Sequence, residues 1–172
     1  MNAERVLLDN PPSFYRNKNW FHDRTWPASW IKPPQDARPP FVAHYVLPFE
    51  VEEEGTVRVH VSADERYALY LDGERIGRGP ERGDPTHWRF ETYDLHLEEG
   101  PHILAAQVWA FGDKAPFAQM SVCPGFILCP DDEELVDVLA TGKARWFSLL
   151  SRSITPRDLF HVEMTGHRIE LD

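Results

Sequence analysis

The sequence predicts an all-β sandwich, and three observations carry that prediction. Short apolar, β-branched or aromatic runs recur at intervals of about 8 to 14 residues. Fifteen prolines and ten glycines punctuate them, while helix start and stop signals are few. Residues 56–62 alternate cleanly, with Val57, Val59 and Val61 on one side and Arg58 and His60 on the other. A period of two is that of a half-buried antiparallel strand.

Residues 1–40 contain Pro11-Pro12, Pro27, Pro33-Pro34 and Pro39-Pro40, which block long helices and central strands. Phe14, Tyr15, Trp20, Phe21, Trp26 and Trp30 lie among them, too apolar a set for a disordered tail. Residues 1–26 read as an irregular arm that lays aromatics over a sandwich domain at 27–150, with a short strand near 29–32. The alternative use of these rings is as a platform for the apolar faces of pyranose sugars.

The first long strand is expected at 41–51, followed by Glu52-Glu53-Glu54-Gly55 as a solvated turn and by the strand 56–62. Strands 67–71 and 74–76 flank Asp72-Gly73, the dipeptide favoured where both central residues of a hairpin turn need positive φ. Gly77, Gly79, Pro80, Gly83 and Pro85 then stiffen a loop that ends in His87-Trp88, and 88–95 is the next strand. After a turn at Gly100-Pro101, residues 103–110 are nearly continuous apolar sequence, as expected near the centre of a sheet. Residues 117–128 read as two short strands bent at Pro124-Gly125. Residues 131–139 fit a helix capped by Asp131 or Asp132, or an acidic turn feeding a strand at 135–140. The strand is preferred, because Gly142-Lys143 then turns the chain into 145–150 as a hairpin. Residues 151–172 read as a linker.

A chain of 172 residues is long enough for one good core in one domain. The net charge of −10 and the lack of a basic stripe argue against a nucleic-acid partner. No apolar run approaches the roughly 18 residues of a membrane span, so no membrane partner is expected. The start has no signal-peptide core, and a cytoplasmic context is the expectation. Cys123 and Cys129 are the two cysteines. A strand joining them would separate them by about 20 Å, against about 7 Å for a disulfide, unless Pro124-Gly125 turns sharply. Two buried free thiols are expected. C-x-x-C, H-E-x-x-H and EF-hand spacings are absent, so no cofactor or metal is assigned.

The run 62–95, SADERYALYLDGERIGRGPERGDPTHWRFETYDL, resembles the amino-terminal β-sandwich module of bacterial α-L-rhamnosidases and related multi-domain glycoside hydrolases. The matching features are Ala63-Asp64, the Tyr-x-Leu-Tyr-Leu-Asp-Gly hairpin, Gly-Arg-Gly-Pro, Asp84-Pro85 with His87-Trp88, and Tyr93-Asp94-Leu95, with Ala105 to Gly112 in support. The family's usual acidic residue after the late Thr is here Gly142. The resemblance implies a jelly-roll sandwich of the galactose-binding-domain-like type. It implies a non-catalytic accessory role, carbohydrate-binding or domain-packing, in an enzyme that cleaves terminal α-L-rhamnosyl bonds. The implied partners are a carbohydrate (a rhamnoside) and the catalytic (α/α)6 domain, whose carboxylates lie outside these residues. Folds of this type often hold one structural calcium, for which the sequence offers no ligand pattern. The alternative reading is a free-standing sandwich used for protein association, or a lectin without an enzyme partner.

Catalytic residues are not assigned. A glycosidase needs two carboxylates about 5 to 9.5 Å apart across the bond, and none of the 28 acids is framed by a distinctive motif. The serines lack a G-x-S-x-G elbow. The candidate ligand-binding residues are Arg78, Glu81, Arg82, Asp84, His87 and Trp88, which combine an aromatic face with planar polar groups able to bond paired hydroxyls. Three uses stay open for them: sugar binding, docking on the catalytic domain, or internal structure. In the last, Arg78 and Arg82 pair with Asp84, Glu81 or Glu91, and His87 locks the loop through a backbone carbonyl.

Overall fold

Nine strands form in chain order: β1 (Ala3–Val6), β2 (Phe41–Val51), β3 (Gly55–Ala63), β4 (Arg66–Leu71), β5 (Glu74–Gly79), β6 (Glu91–Leu97), β7 (Gly100–Ala110), β8 (Phe126–Pro130) and β9 (Phe147–Leu150). They pair antiparallel in a four-stranded sheet of order β1-β6-β3-β8 and a five-stranded sheet of order β5-β4-β7-β2-β9. The computed structural model describes residues 2–12, 26–33, 37–84, 87–115, 119 and 121–151. The expectations for Phe14, Tyr15, Trp20, Phe21 and the 152–172 linker fall outside these residues.

The fold is a β-sandwich, as the alternation predicts. One side of each sheet faces the other: Tyr45, Leu47, Tyr67, Leu69, Leu71, Leu104, Ala106 and Val108 from the five-stranded sheet meet Val59, Val61, Tyr93, Leu95, Phe126 and Leu128. All are 2% exposed or less, and each large side chain so buried contributes about 1.5–3 kcal/mol. The apolar run 103–110 is β7, central in its sheet between β4 and β2. The β4–β5 hairpin turns at Asp72 (φ 51°) and Gly73 (φ 83°), the two positive values expected of that dipeptide.

Five expectations give way to the structure. Residues 3–6, read as part of an irregular arm, form edge strand β1 against β6. Near 29–32 there is an isolated bridge, Ile31 to Phe126, in place of a strand. Of the two strands expected in 117–128, the second is β8, while the described residues 121–125 are irregular. The preferred 135–140 strand is instead a 3-10 turn (Glu133–Leu135) running into a one-turn helix α1 (Val136–Leu139). Asp132 caps it by accepting from the Glu134 amide at 2.9 Å, so local capping outweighs the strand reading. Strand β9 therefore has no hairpin partner there and pairs with β2, Val46 opposite Phe147 and Ala43 opposite Leu150. Cys129 is buried as expected, but Cys123 is exposed; both are free.

The outer face of β3 is also covered, which the alternation alone does not reveal. A small cluster of Ala28, Ile127, Cys129 and Ala140, with Trp26 and Val136 against it, lies over the four-stranded sheet. His60 is fully buried there, edge-on to Trp26 and Phe90. Its ring nitrogens meet Thr92 Oγ1 at 2.9 Å and Asp131 Oδ1 at 3.1 Å. Burial lowers the His60 pKa below 6.5, whereas the Asp72 carboxylate, 2.7 Å from His102 Nδ1, raises that of His102. The two act with opposite sign on stability. The His60 contribution is present above pH 6.5 and lost as pH falls toward its folded value. The His102 contribution is present below pH 6.5 and lost as pH rises through its folded value. NMR titration of the imidazole protons is expected to place the His60 midpoint below that of an unfolded-chain histidine and the His102 midpoint above it. The reverse order would contradict both environments.

Candidate functional site

The β3–β4 turn, the β5–β6 loop and the segments around Trp30 and Val122 meet at one end of the sandwich. The β5–β6 loop doubles back on itself. A Cβ on Gly83 would lie 2.3 Å from the His87 carbonyl, so only glycine lets the two strands of the loop approach. Asp84 and His87 form a bridge, with the His87 amide donating to the Asp84 carbonyl at 3.0 Å. His87 Nδ1 also meets the Asp84 carboxylate at 2.9 Å. The loop is thus locked by Asp84 itself, where a backbone carbonyl was expected as the partner of the His87 ring. The pair is largely exposed and worth little as a charge interaction.

The expected pairing of Arg78 and Arg82 with the acids of the loop is not what holds it. Among the described residues no ion pair joins either arginine to an acid. Glu81 and the buried Glu91 are instead bridged by Arg5 from β1, at 3.4 and 2.5 Å. Arg78 is exposed on β5. Glu81 and Arg82 border a crevice of about 20 Å³, room for about one water.

Trp88, unlike Glu81 and Arg82, lines a larger space. Its Nε1 donates to Ser62 Oγ at 3.0 Å, and that hydroxyl donates onward to the Arg89 carbonyl at 2.7 Å, which fixes the indole plane. Trp30 stands edge-to-face with it, centroids 5.6 Å apart at 84°. Trp30 is held through its neighbour Ile31, whose amide and carbonyl both pair with Phe126 at 2.9 and 3.0 Å. The two indoles, Lys32, Asp64 and the 122–125 turn line an open basin of about 620 Å³.

Asp64 is 1% exposed. Its Oδ2 accepts from the amides of Val122 and Cys123 at 2.7 and 2.5 Å, and its own amide donates to the Gly125 carbonyl at 3.0 Å. Among the described residues, its Oδ1 has no hydrogen-bond partner. The next residue, Glu65, does the same work on the other side, accepting from Phe111 and Gly112 at 2.7 and 3.2 Å. Trp30 is one of the rings that the sequence offers as a sugar platform, whereas Asp64 does not stand out as a ligand, and its signal in sequence is the Ala63-Asp64 pair.

Neither a protein-family model nor a curated protein matches this chain. Among solved structures, the GH78 family rhamnosidase of Bacillus sp. GL1 superposes with a TM-score of 0.63 and 28% identity over 74% of this chain. This chain resembles one domain of a GH78 rhamnosidase. It spans 14% of that enzyme's length. An α-L-rhamnosidase of Streptomyces avermitilis, solved with L-rhamnose, shows 20% identity and a TM-score of 0.46 over 73% of this chain and 12% of its own. The Pleurotus ostreatus lectin shows 19% and 0.49 over 72% of this chain and 35% of its own. These last two likenesses are too loose to bear on function.

Proposed function

We propose that this chain is a non-catalytic accessory module, of the jelly-roll, galactose-binding-like type, of an α-L-rhamnosidase-like glycoside hydrolase. The observation that carries the reading is the likeness to the Bacillus enzyme, which covers most of this chain and a small part of the other. A sugar contact is supported by the aromatic basin at one end of the sandwich. Phe147 and Leu149, half exposed on edge strand β9, give the module an apolar edge on which the catalytic (α/α)6 domain packs. Hydrolysis of the terminal α-L-rhamnosyl bond is the work of that domain.

Two assays on this chain test the reading. With p-nitrophenyl α-L-rhamnoside it is expected to release no nitrophenol above the buffer rate, and turnover would overturn the non-catalytic assignment. Isothermal titration with L-rhamnose and methyl α-L-rhamnoside is expected to give heat at millimolar sugar. A flat titration would remove carbohydrate binding from the role.

A further inference from the structure

We infer that His102 is a proton-operated latch on the link between β6 and β7, closed while its imidazole is doubly protonated and released when one proton leaves. Strand β6 belongs to the four-stranded sheet and β7 to the five-stranded one. Glu98 and Glu99 are the whole of the link that carries the chain from one layer to the other. The inference goes beyond the accessory-module reading and does not depend on it.

His102 occupies an inward-facing position of β7, since Leu104, Ala106 and Val108 follow it into the core with a period of two. Its partner across the ladder is Phe49, whose ring centroid lies 5.7 Å from that of the imidazole. The His102 side chain is 12% exposed, so its two polar contacts decide its state. Nδ1 lies 2.7 Å from Asp72 Oδ2, and Nε2 lies 2.9 Å from the Glu98 carbonyl oxygen. A carbonyl and a carboxylate both accept hydrogen bonds and donate none. Both ring nitrogens must then carry hydrogen, which the imidazolium alone provides. The neutral ring has one N–H and one lone pair.

Asp72 cannot follow the ring if the contact fails. Its amide donates to the Ile103 carbonyl at 2.9 Å, and its Oδ1 accepts from the Ile103 amide at 2.7 Å. When a proton leaves, the remaining N–H stays on the carboxylate, the stronger acceptor, and the bare Nε2 faces the Glu98 carbonyl. Two lone pairs repel, and the link gives way while the Asp72 turn keeps its bonds to Ile103. The ring borders a depression of about 540 Å³ lined also by Glu54, Asp72, His96 and Glu98. Glu50 beside Phe49 and Glu99 in the link add two more acids, and His96 is engaged by Thr56 Oγ1 at 3.1 Å. This excess of carboxylates favours the imidazolium, in line with the raised pKa of His102. The latch is therefore closed below pH 6.5 and opens as pH rises through the folded value.

The test is amide hydrogen exchange on the 172-residue chain, read by NMR between pH 6 and pH 9 as protection factors, which removes the intrinsic dependence on hydroxide. Leu97 and Gly100, which end their ladders opposite Gly55 and Val51, report the link. Leu128, whose amide donates to Thr141 Oγ1, is the reference. Protection at Leu97 and Gly100 is expected to fall roughly threefold or more, with the midpoint of the His102 ring signals in the same samples, while Leu128 stays unchanged. Asp72→Asn keeps an acceptor for the Ile103 amide but lacks the charge, and is expected to move both midpoints down together. His102→Phe, which has no N–H, is expected to show the low protection at every pH. Constant protection in the unsubstituted chain through the His102 titration would overturn the latch. So would a pH-dependent fall that persists in His102→Phe, or midpoints that separate in Asp72→Asn. If circular dichroism shows that His102→Phe does not fold, the Asp72→Asn midpoints decide.

Discussion

Phe126→Ala is expected to lower the unfolding free energy by about 3–5 kcal/mol, the range for a phenylalanine emptied from a closed core. Phe126 is fully buried and touches more of the fold than its place on a short strand suggests. Its ring stacks on Tyr45 at 5.5 Å and 21°. It also meets the rings of Tyr67 and Trp146 at 6.2 and 5.6 Å. Tyr45 and Tyr67 belong to the five-stranded sheet and Phe126 to the four-stranded one, so the ring joins the two layers. The cavity left behind cannot be filled by one neighbour without uncovering another. For a chain of this size each kcal/mol moves the melting temperature by roughly 2–4 °C, so a fall of about 6–20 °C is expected by calorimetry. Leu149→Ala, at a residue 53% exposed, is expected to stay within about 0.5 kcal/mol. A loss below about 1 kcal/mol at Phe126 would show that the two sheets are not held together at this point.

The same ring marks the boundary between what the sequence reveals and what it hides. Strand β8 is legible because Phe126, Leu128 and their neighbours form an apolar run after Pro124-Gly125. That Phe126 also pairs with Ile31, and so carries Trp30 to the rim, is a long-range contact with no local signature. His60 is a similar case. Its alternation with Val59 and Val61 correctly puts it on the outer face of β3, but exposure does not follow, since Trp26 and Phe90 close over it. At residues 131–140, two local signals competed and the Asp132 cap prevailed. Strand β9 pairs with β2 across about a hundred positions of sequence, a choice settled by the space left at the sheet edge.

The candidate site shows the same division. The loop 78–88 draws the eye because its glycines, prolines and charges are dense, and Trp88 does reach the basin. Its charged members have structural or solvent-facing roles instead: Asp84 and His87 lock each other, and Glu81 is tied to Arg5. Asp64 and Glu65 carry the site's construction. In sequence they are merely two acids after a strand, a pattern that more often marks a solvated turn, and here both are buried to within 2%.

Glu65→Ala gives the second large effect, an expected loss of about 2–4 kcal/mol, because two backbone amides lose their acceptor and each unsatisfied group costs about 1–3 kcal/mol. Glu65 sits at φ 80°, a conformation that aims its carboxylate at the end of β7, where it accepts from Phe111 and Gly112. Burial raises its pKa against the lowering effect of those two amides. The sign follows from linkage: the folded state holds this proton more tightly than the unfolded chain. The side chain therefore favours folding most at low pH and less as pH rises from 4.5 through its folded value. Glu65→Gln keeps a carbonyl acceptor and has no such proton, so it is expected to cost less than Glu65→Ala and to lose this part of the pH dependence. Urea denaturation of both variants at pH 4 and pH 7 measures both effects, and an alanine variant no less stable than glutamine would refute the clamp. Because Asp64 separately holds the 122–125 turn through the Val122 and Cys123 amides, the Glu65 variants are expected to lose stability at the end of β7 while leaving that turn in place.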